Sequence, residues 1–257
     1  MQSTASTTEE RLPLEPQGRD FPYYRGPCAI SMSGWMVILV GVAAGFLVLV
    51  APLPFADGLL SGWLRAALFV GLPLLALRMA SPSGWTAIFA RVGLRELKLM
   101  VVFALLNIIV SLAVGTVIKF FGTTTPNAAV ADAAQLKGVR LLNFFSKVAL
   151  QLLGEELITL LPFLALLALC RARVGLGRNV SVILAWLASA AAFGLVHLPT
   201  YDWNVVQCLV VIGSARLILT WAYVWSKNVW VSTGAHIIND WTLIASTAFL
   251  APLATSV

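Results

Sequence analysis

Long apolar runs alternate with short polar stretches along the whole chain after its first thirty residues. The runs cover about 32–54, 59–79, 98–119, 142–170, 180–198, 204–226 and 229–251. About 20 apolar residues in a helix cross the hydrocarbon of a bilayer. The pattern therefore predicts an all-α, polytopic transmembrane helical bundle of about seven spans, or eight if one re-entrant segment is added. The runs are continuous rather than alternating, which argues against a membrane β-barrel. The fourth run is long enough to tilt or to begin outside the bilayer. Between the second and third runs, Gly84 to Leu97 mixes Trp85, Ile88, Phe89 and Val92 with Arg91, Arg95 and Glu96, as an interfacial helix does. Residues 1–30 are polar and proline-bearing and read as a cytoplasmic N-terminal tail, mobile at its start, with Phe21, Tyr23 and Tyr24 as an interfacial anchor. Residues 31–257 form the transmembrane domain.

Composition narrows the class further. Hydrophobic residues make up 60% of the 257 residues and charged ones 11%, and the mean hydropathy is +0.90. These values exclude a soluble globular enzyme and a disordered chain. The net charge of +6 reads as basic residues flanking spans, not as a nucleic-acid surface, because no basic patch interleaved with aromatics occurs. Arg11, Arg19, Arg25, Arg78, Arg91, Arg95, Lys98, Arg171, Arg173, Arg178 and Lys227 all fall on one side if the N-terminus is cytoplasmic. The expected location is a cell membrane, a bacterial inner membrane, with the N-terminus inside. Cys28, Cys170 and Cys208 fit no metal spacing and read as free thiols.

The informative residues are the ionisable ones inside apolar runs, where a charge costs about 2.5–3.5 kcal/mol even on lenient insertion scales. They are Glu155 and Glu156 in the fourth run, His197 at the end of the fifth, Arg216 in the sixth, and His236 and Asp240 in the seventh. The two histidines are the only ones in the chain. His236 and Asp240 stand at i and i+4 and share a helix face, with Asn239 on its shoulder; Phe193 and His197 have the same spacing. Glu155 and Glu156 point about 100° apart, so one can face a cavity while the other meets a neighbouring helix. Arg216 reads as a snorkelling residue or the partner of a carboxylate. Pro162, six residues after Glu156, is placed to bend the helix beyond the site.

A Glu, two His and a polar neighbour around a small wet cavity can direct water at an amide, with the Glu as general base. No Gly-x-Ser-x-Gly elbow is present. No cofactor is expected. Zinc on His197, His236 and Glu155 is the weaker alternative, since neither His stands in a zincin motif. A proton-coupled transporter using the same residues as a relay is a further alternative, against which stands the lack of a visible repeat.

The set Glu155-Glu156, Phe193-x-x-x-His197 and His236-x-x-x-Asp240 resembles, in order and spacing, the CAAX-protease and bacteriocin-processing (CPBP, or Abi) family of intramembrane endopeptidases, over about residues 140–245. The resemblance implies a site among the last four helices that opens into a cavity within the bilayer. It implies that Glu155 activates water with His197, that His236 and Asp240 lie on the oxyanion side, and that no metal takes part. Its substrate would be a membrane-associated or hydrophobic peptide or protein; bacterial relatives are linked to peptide maturation and bacteriocin immunity. Two positions depart from the pattern. Leu160 stands where the family has Arg, which leaves Glu156 without its expected partner unless Arg216 supplies the charge from another helix. Asp240 stands where many members have Asn, so Asn239 becomes an alternative donor. A degenerate member acting in immunity or as a scaffold is the alternative these changes raise. On these spans His197 lies near the outer end of its helix and His236 toward the inner end of the last one. Their convergence calls for a short, tilted or broken sixth helix.

Overall fold

The computed structural model describes residues 11–13, 15, 16, 18–51, 58–127, 130, 133 and 135–254. Seven long helices account for most of them: α1 (Met32–Val50), α2 (Leu59–Ala80), α3 (Leu94–Lys119), α4 (Gly138–Leu169), α5 (Arg178–Val196), α6 (Gly213–Ser226) and α7 (Val229–Ala254). Among the described residues there is no strand. The protein is thus an all-helical bundle with several helices fit to cross a membrane. Six helices are long and apolar enough by length and composition: α1, α2, α3, α4, α5 and the stretch Gln207–Ser226 that includes α6. The seventh expected span, α7, carries His236, Asn239 and Asp240 in its first half and is less apolar there.

Local signals set the helix ends. Ser31 accepts from the Gly34 N–H at 3.1 Å and caps α1. Glu96 reaches back to the Gly93 N–H at 2.9 Å, so α3 starts at Leu94, four residues before the expected boundary. This also corrects the interfacial helix expected over 84–97. That stretch is a short 3-10 turn, Trp85–Ile88, followed by the first turn of α3. The α1–α2 contact is close because Gly41 lies against Ala76 and Gly45 against the Phe69 carbonyl; small residues allow such approach where no water drives association.

Helix α4 is the hub of the bundle. It packs against α1, α2, α5 and α7, and Leu157, Leu160, Leu161, Phe163 and Leu164 are all buried in the main core. Pro162 lies within the continuous helix. A second core joins α3, α6 and α7 through Phe103, Ala104, Leu219, Ala222, Val231 and Ala235.

The described part of the 1–30 segment is not a free tail. Phe21, Tyr23, Tyr24 and Ile30 belong to the main core, and Phe21 stacks near Phe163 and Tyr223 at 5.4 and 6.2 Å. Its start, residues 1–10, lies outside the described residues. Glu15 accepts from Arg178 at 2.9 and 2.6 Å and from Lys227 at 2.7 Å. Asp20 accepts from Arg178 at 2.8 Å and from Tyr24 at 2.7 Å. Arg178 and Lys227, which flanking-charge logic would leave in headgroup water, are therefore buried and paired. Burial pushes the Glu15 and Asp20 carboxyls up, but the Arg178 hydrogen bonds, with Lys227 on Glu15 and Tyr24 on Asp20, hold both below their ordinary values. A carboxyl depressed in the fold adds stability above its unfolded pKa, and that stability is lost as pH falls through the folded value. Melting of the detergent-solubilised protein should drop as pH falls below about 4. Glu15→Gln should lower stability at pH 7 by about 3–5 kcal/mol, because it leaves buried Lys227 without a carboxylate and Arg178 with Asp20 alone. Thermal melts of the two proteins at pH 7 and pH 3.5 check both, since the difference between them should shrink at the lower pH.

Candidate active site

The adjacent glutamates of α4 part company. Glu156 is fully buried. Arg216 of α6 donates to its Oε1 at 2.7 Å and its Oε2 at 2.8 Å, a fork geometry that Arg alone among the side chains supplies. His236 Nδ1 of α7 lies 2.9 Å from the same Oε1. Arg216 Nε donates to Thr220 at 3.2 Å, and its guanidinium lies 5.1 Å from the Phe193 ring. The Arg position of the resembling motif, Leu160, is a core residue. Arg216 thus occupies the charge role from another helix, 60 residues away in sequence.

Glu155 turns the other way. Its Oε1 accepts from Gln151 at 3.2 Å, and it lines a cavity of about 610 Å³ together with His197, Ile158, Phe46, Leu49 and Phe69. His197 ends α5 as its C-cap residue. Its Nδ1 is 2.8 Å from the Phe193 carbonyl. A carbonyl only accepts, so Nδ1 carries the proton and Nε2 of the neutral ring is left free to take one. His236 Nδ1 faces a carboxylate in the same manner, which directs Nε2 toward Glu155 Oε2 at 3.9 Å and Asp240 Oδ1 at 3.7 Å. These spacings are longer than direct hydrogen bonds. Asn239 Nδ2 donates to Asp240 at 2.8 Å, while Asn239 Oδ1 is buried with no partner among the described residues.

Phe193 is the piece that joins the two histidines. Its ring centroid is 4.5 Å from His197 and 6.5 Å from His236. The sixth span is continuous from Gln207 to Ser226 and is not broken; what sets it apart is its irregular start. A 3-10 turn (Leu198–Tyr201) and a π-helical turn (Gln207–Ile212) precede α6, and π turns widen the helix locally. The π turn presses the Cys208 carbonyl against Gly194, where a Cβ would stand 2.5 Å from that oxygen. Gly194→Ala should therefore separate α5 from the π turn. We expect lost activity with a smaller loss of stability, read as cleavage rate against melting temperature. Gln207 ties the same turn to the connection before α4, accepting from the Thr125 N–H at 2.8 Å and donating to its carbonyl at 2.9 Å.

Sequence reasoning named Glu155, Glu156, Phe193, His197, Arg216, His236, Asn239 and Asp240, and the fold gathers all eight around α4. It passed over Gln151, although the i−4 spacing from Glu155 was there to be read. Among the described residues no group of three His, Cys, Asp or Glu side chains is arranged to hold a metal. The alternative zinc set of His197, His236 and Glu155 does not form such a group among the described residues. Cys28, Cys170 and Cys208 are free thiols.

Comparison with known proteins gives one match. Residues 137–242 fit the family model described as type II CAAX prenyl endopeptidase Rce1-like. No curated protein and no solved structure matches the chain. The matched segment takes in α4, α5, α6 and the first half of α7, which carry every residue of the constellation. Over these residues the chain is similar to the Rce1-like family of type II CAAX prenyl endopeptidases, in line with the resemblance carried by its Glu, Phe/His and His motifs.

Proposed function

We propose that this protein is a working intramembrane endopeptidase that hydrolyses a peptide bond in a membrane-associated or hydrophobic peptide, without metal or cofactor. The observation that carries the reading is the division of labour within the Glu pair. Glu156 is consumed by Arg216 and His236, whereas Glu155 shares an open cavity with His197.

In this mechanism Glu155 takes a proton from a water molecule as the water oxygen bonds to the scissile carbonyl carbon. His197 Nε2, whose tautomer the Phe193 carbonyl sets, steers the same water. The carbonyl oxygen gains negative charge, and His236, held as the imidazolium by the Glu156 carboxylate at Nδ1, donates to it from Nε2 on that side of Glu155. When the C–N bond breaks, the proton held by Glu155 passes to the leaving nitrogen. The Arg216 pairing supports an active member over a degenerate one, because Leu160 does not leave Glu156 unbalanced. We place the protein in the bacterial inner membrane with its N-terminus in the cytoplasm, on the distribution of Lys and Arg. The test compares membrane-peptide termini in cells carrying wild type, Glu155→Gln and His197→Ala at matched expression. A terminus that disappears in both variants identifies the substrate. Termini unchanged in both would refute the proteolytic reading.

A further inference from the structure

The cavity that holds Glu155 has a second, cationic end. Lys147, Gln151 and Glu155 stand at i, i+4 and i+8, one stripe of α4, and all three line the cavity. Eight residues of helix rise about 12 Å. Gln151 is spent on Glu155. Lys147 packs its stem against Gly62 of α2, and its ammonium lies 5.9 Å from the Phe144 ring. Among the described residues it has no carboxylate and no hydrogen-bond acceptor. Arg65 of α2, which lines the same cavity, donates to the carbonyls of Val48, Leu49 and Ala51 at the end of α1. These acceptors are uncharged. The contrast with the buried cations is plain. Arg178, Arg216 and Lys227 each hold a carboxylate within 2.7 Å. Here two positive charges line a cavity whose sole carboxylate among the described residues, Glu155, is two turns away. A charge in such a setting calls for a counter-charge.

We propose that Lys147, backed by Arg65, is a specificity-determining subsite that binds a carboxylate carried by the peptide substrate. At about 3.3 Å per extended residue, that carboxylate lies three to four residues from the bond presented to Glu155. The subsite rests on the proteolytic reading of the same cavity. It takes either a chain-terminal carboxylate or an Asp or Glu side chain.

The test is a binding measurement on the Glu155→Gln protein in phosphatidylcholine nanodiscs, read by fluorescence anisotropy. The probes are three apolar, labelled nine-residue peptides: a C-terminal acid, the matching C-terminal amide, and an amide with one internal Asp. At least one acidic probe should bind about tenfold more tightly than the plain amide, and which one does so separates the two carboxylate sources. Lys147→Met should abolish the preference while leaving amide affinity and melting temperature unchanged. Lys147→Glu should reverse it toward an amide peptide bearing Lys. Equal affinity for acidic and neutral probes, absence of binding by any probe, or a preference that survives Lys147→Met overturns the subsite. So does a preference that disappears when phosphatidylglycerol is added, since the cations would then serve lipid phosphate. Cleavage of the same peptides by wild type separates the two claims. Acid-selective binding without cleavage defeats the proteolytic reading and keeps the subsite. Glu155-dependent cleavage without acid preference does the opposite.

Discussion

Glu155→Gln abolishes cleavage, by about 10²–10⁴-fold as for the loss of a general base, and leaves the melting temperature where it was. The second half of that expectation follows from the geometry as firmly as the first. Among the described residues the Glu155 carboxylate has a single hydrogen bond, from Gln151, and it borders a cavity. A Gln side chain keeps the shape and can still accept from Gln151 through its carbonyl. It cannot take a proton from water. His197→Ala should also cut the rate while sparing the fold, because His197 ends a helix and its side-chain bond is to the backbone of its own last turn. The measurement is single-turnover cleavage with circular dichroism melts on the same samples. A Glu155→Gln protein that cleaves at the wild-type rate would sink the assignment of the base.

Arg216→Ala produces the opposite signature, a protein that is both inactive and unstable. Arg216 and Glu156 are both fully buried, and breaking such a pair costs about 3–5 kcal/mol because one charge is left without a partner. The damage should spread to His236, which shares Glu156 Oε1 with Arg216, and to Phe193, over which the guanidinium lies. Arg216→Lys should recover only part of the stability, since a point charge cannot reproduce the two-pronged contact. The double variant Glu156→Gln, Arg216→Met should melt above Arg216→Ala, because it removes both charges together. Melting temperatures of the four proteins in one detergent decide the matter. A double variant no more stable than the single would show that the buried charge is not what the fold loses.

Much of this organisation was legible in the sequence because the bilayer makes it so. Apolar runs of the right length specify helices directly, and charges inside them are rare enough to be conspicuous. Glu155, Glu156, His197, His236 and Asp240 were found by that logic together with their order and spacing. The boundary of α3 was missed by four residues because a Gly–Glu cap lies beyond the apolar run it serves. The tail was misjudged for a related reason. Glu15 and Asp20 look like solvent residues in a polar stretch, and only their distant partners Arg178 and Lys227 give them a buried place. The i and i+4 spacing put Asp240 on the same face as His236, yet the nearest carboxylate to that imidazole is Glu156.

What the sequence determined by itself is what depends on neighbours along the chain. Helical spans follow from apolar length, shared faces from i and i+4 spacing, and the divergence of Glu155 from Glu156 from 100° per residue. What only the tertiary structure decided is which charge meets which across the bundle. Leu160 and Arg216 illustrate the difference: the motif placed a cation one turn from Glu156, and the fold delivers it from a helix 60 residues later. Burial demands that a charge be paired but does not say from where, so the partner is set by packing, here by a π turn and a glycine that bring α5 and α6 together beside α4.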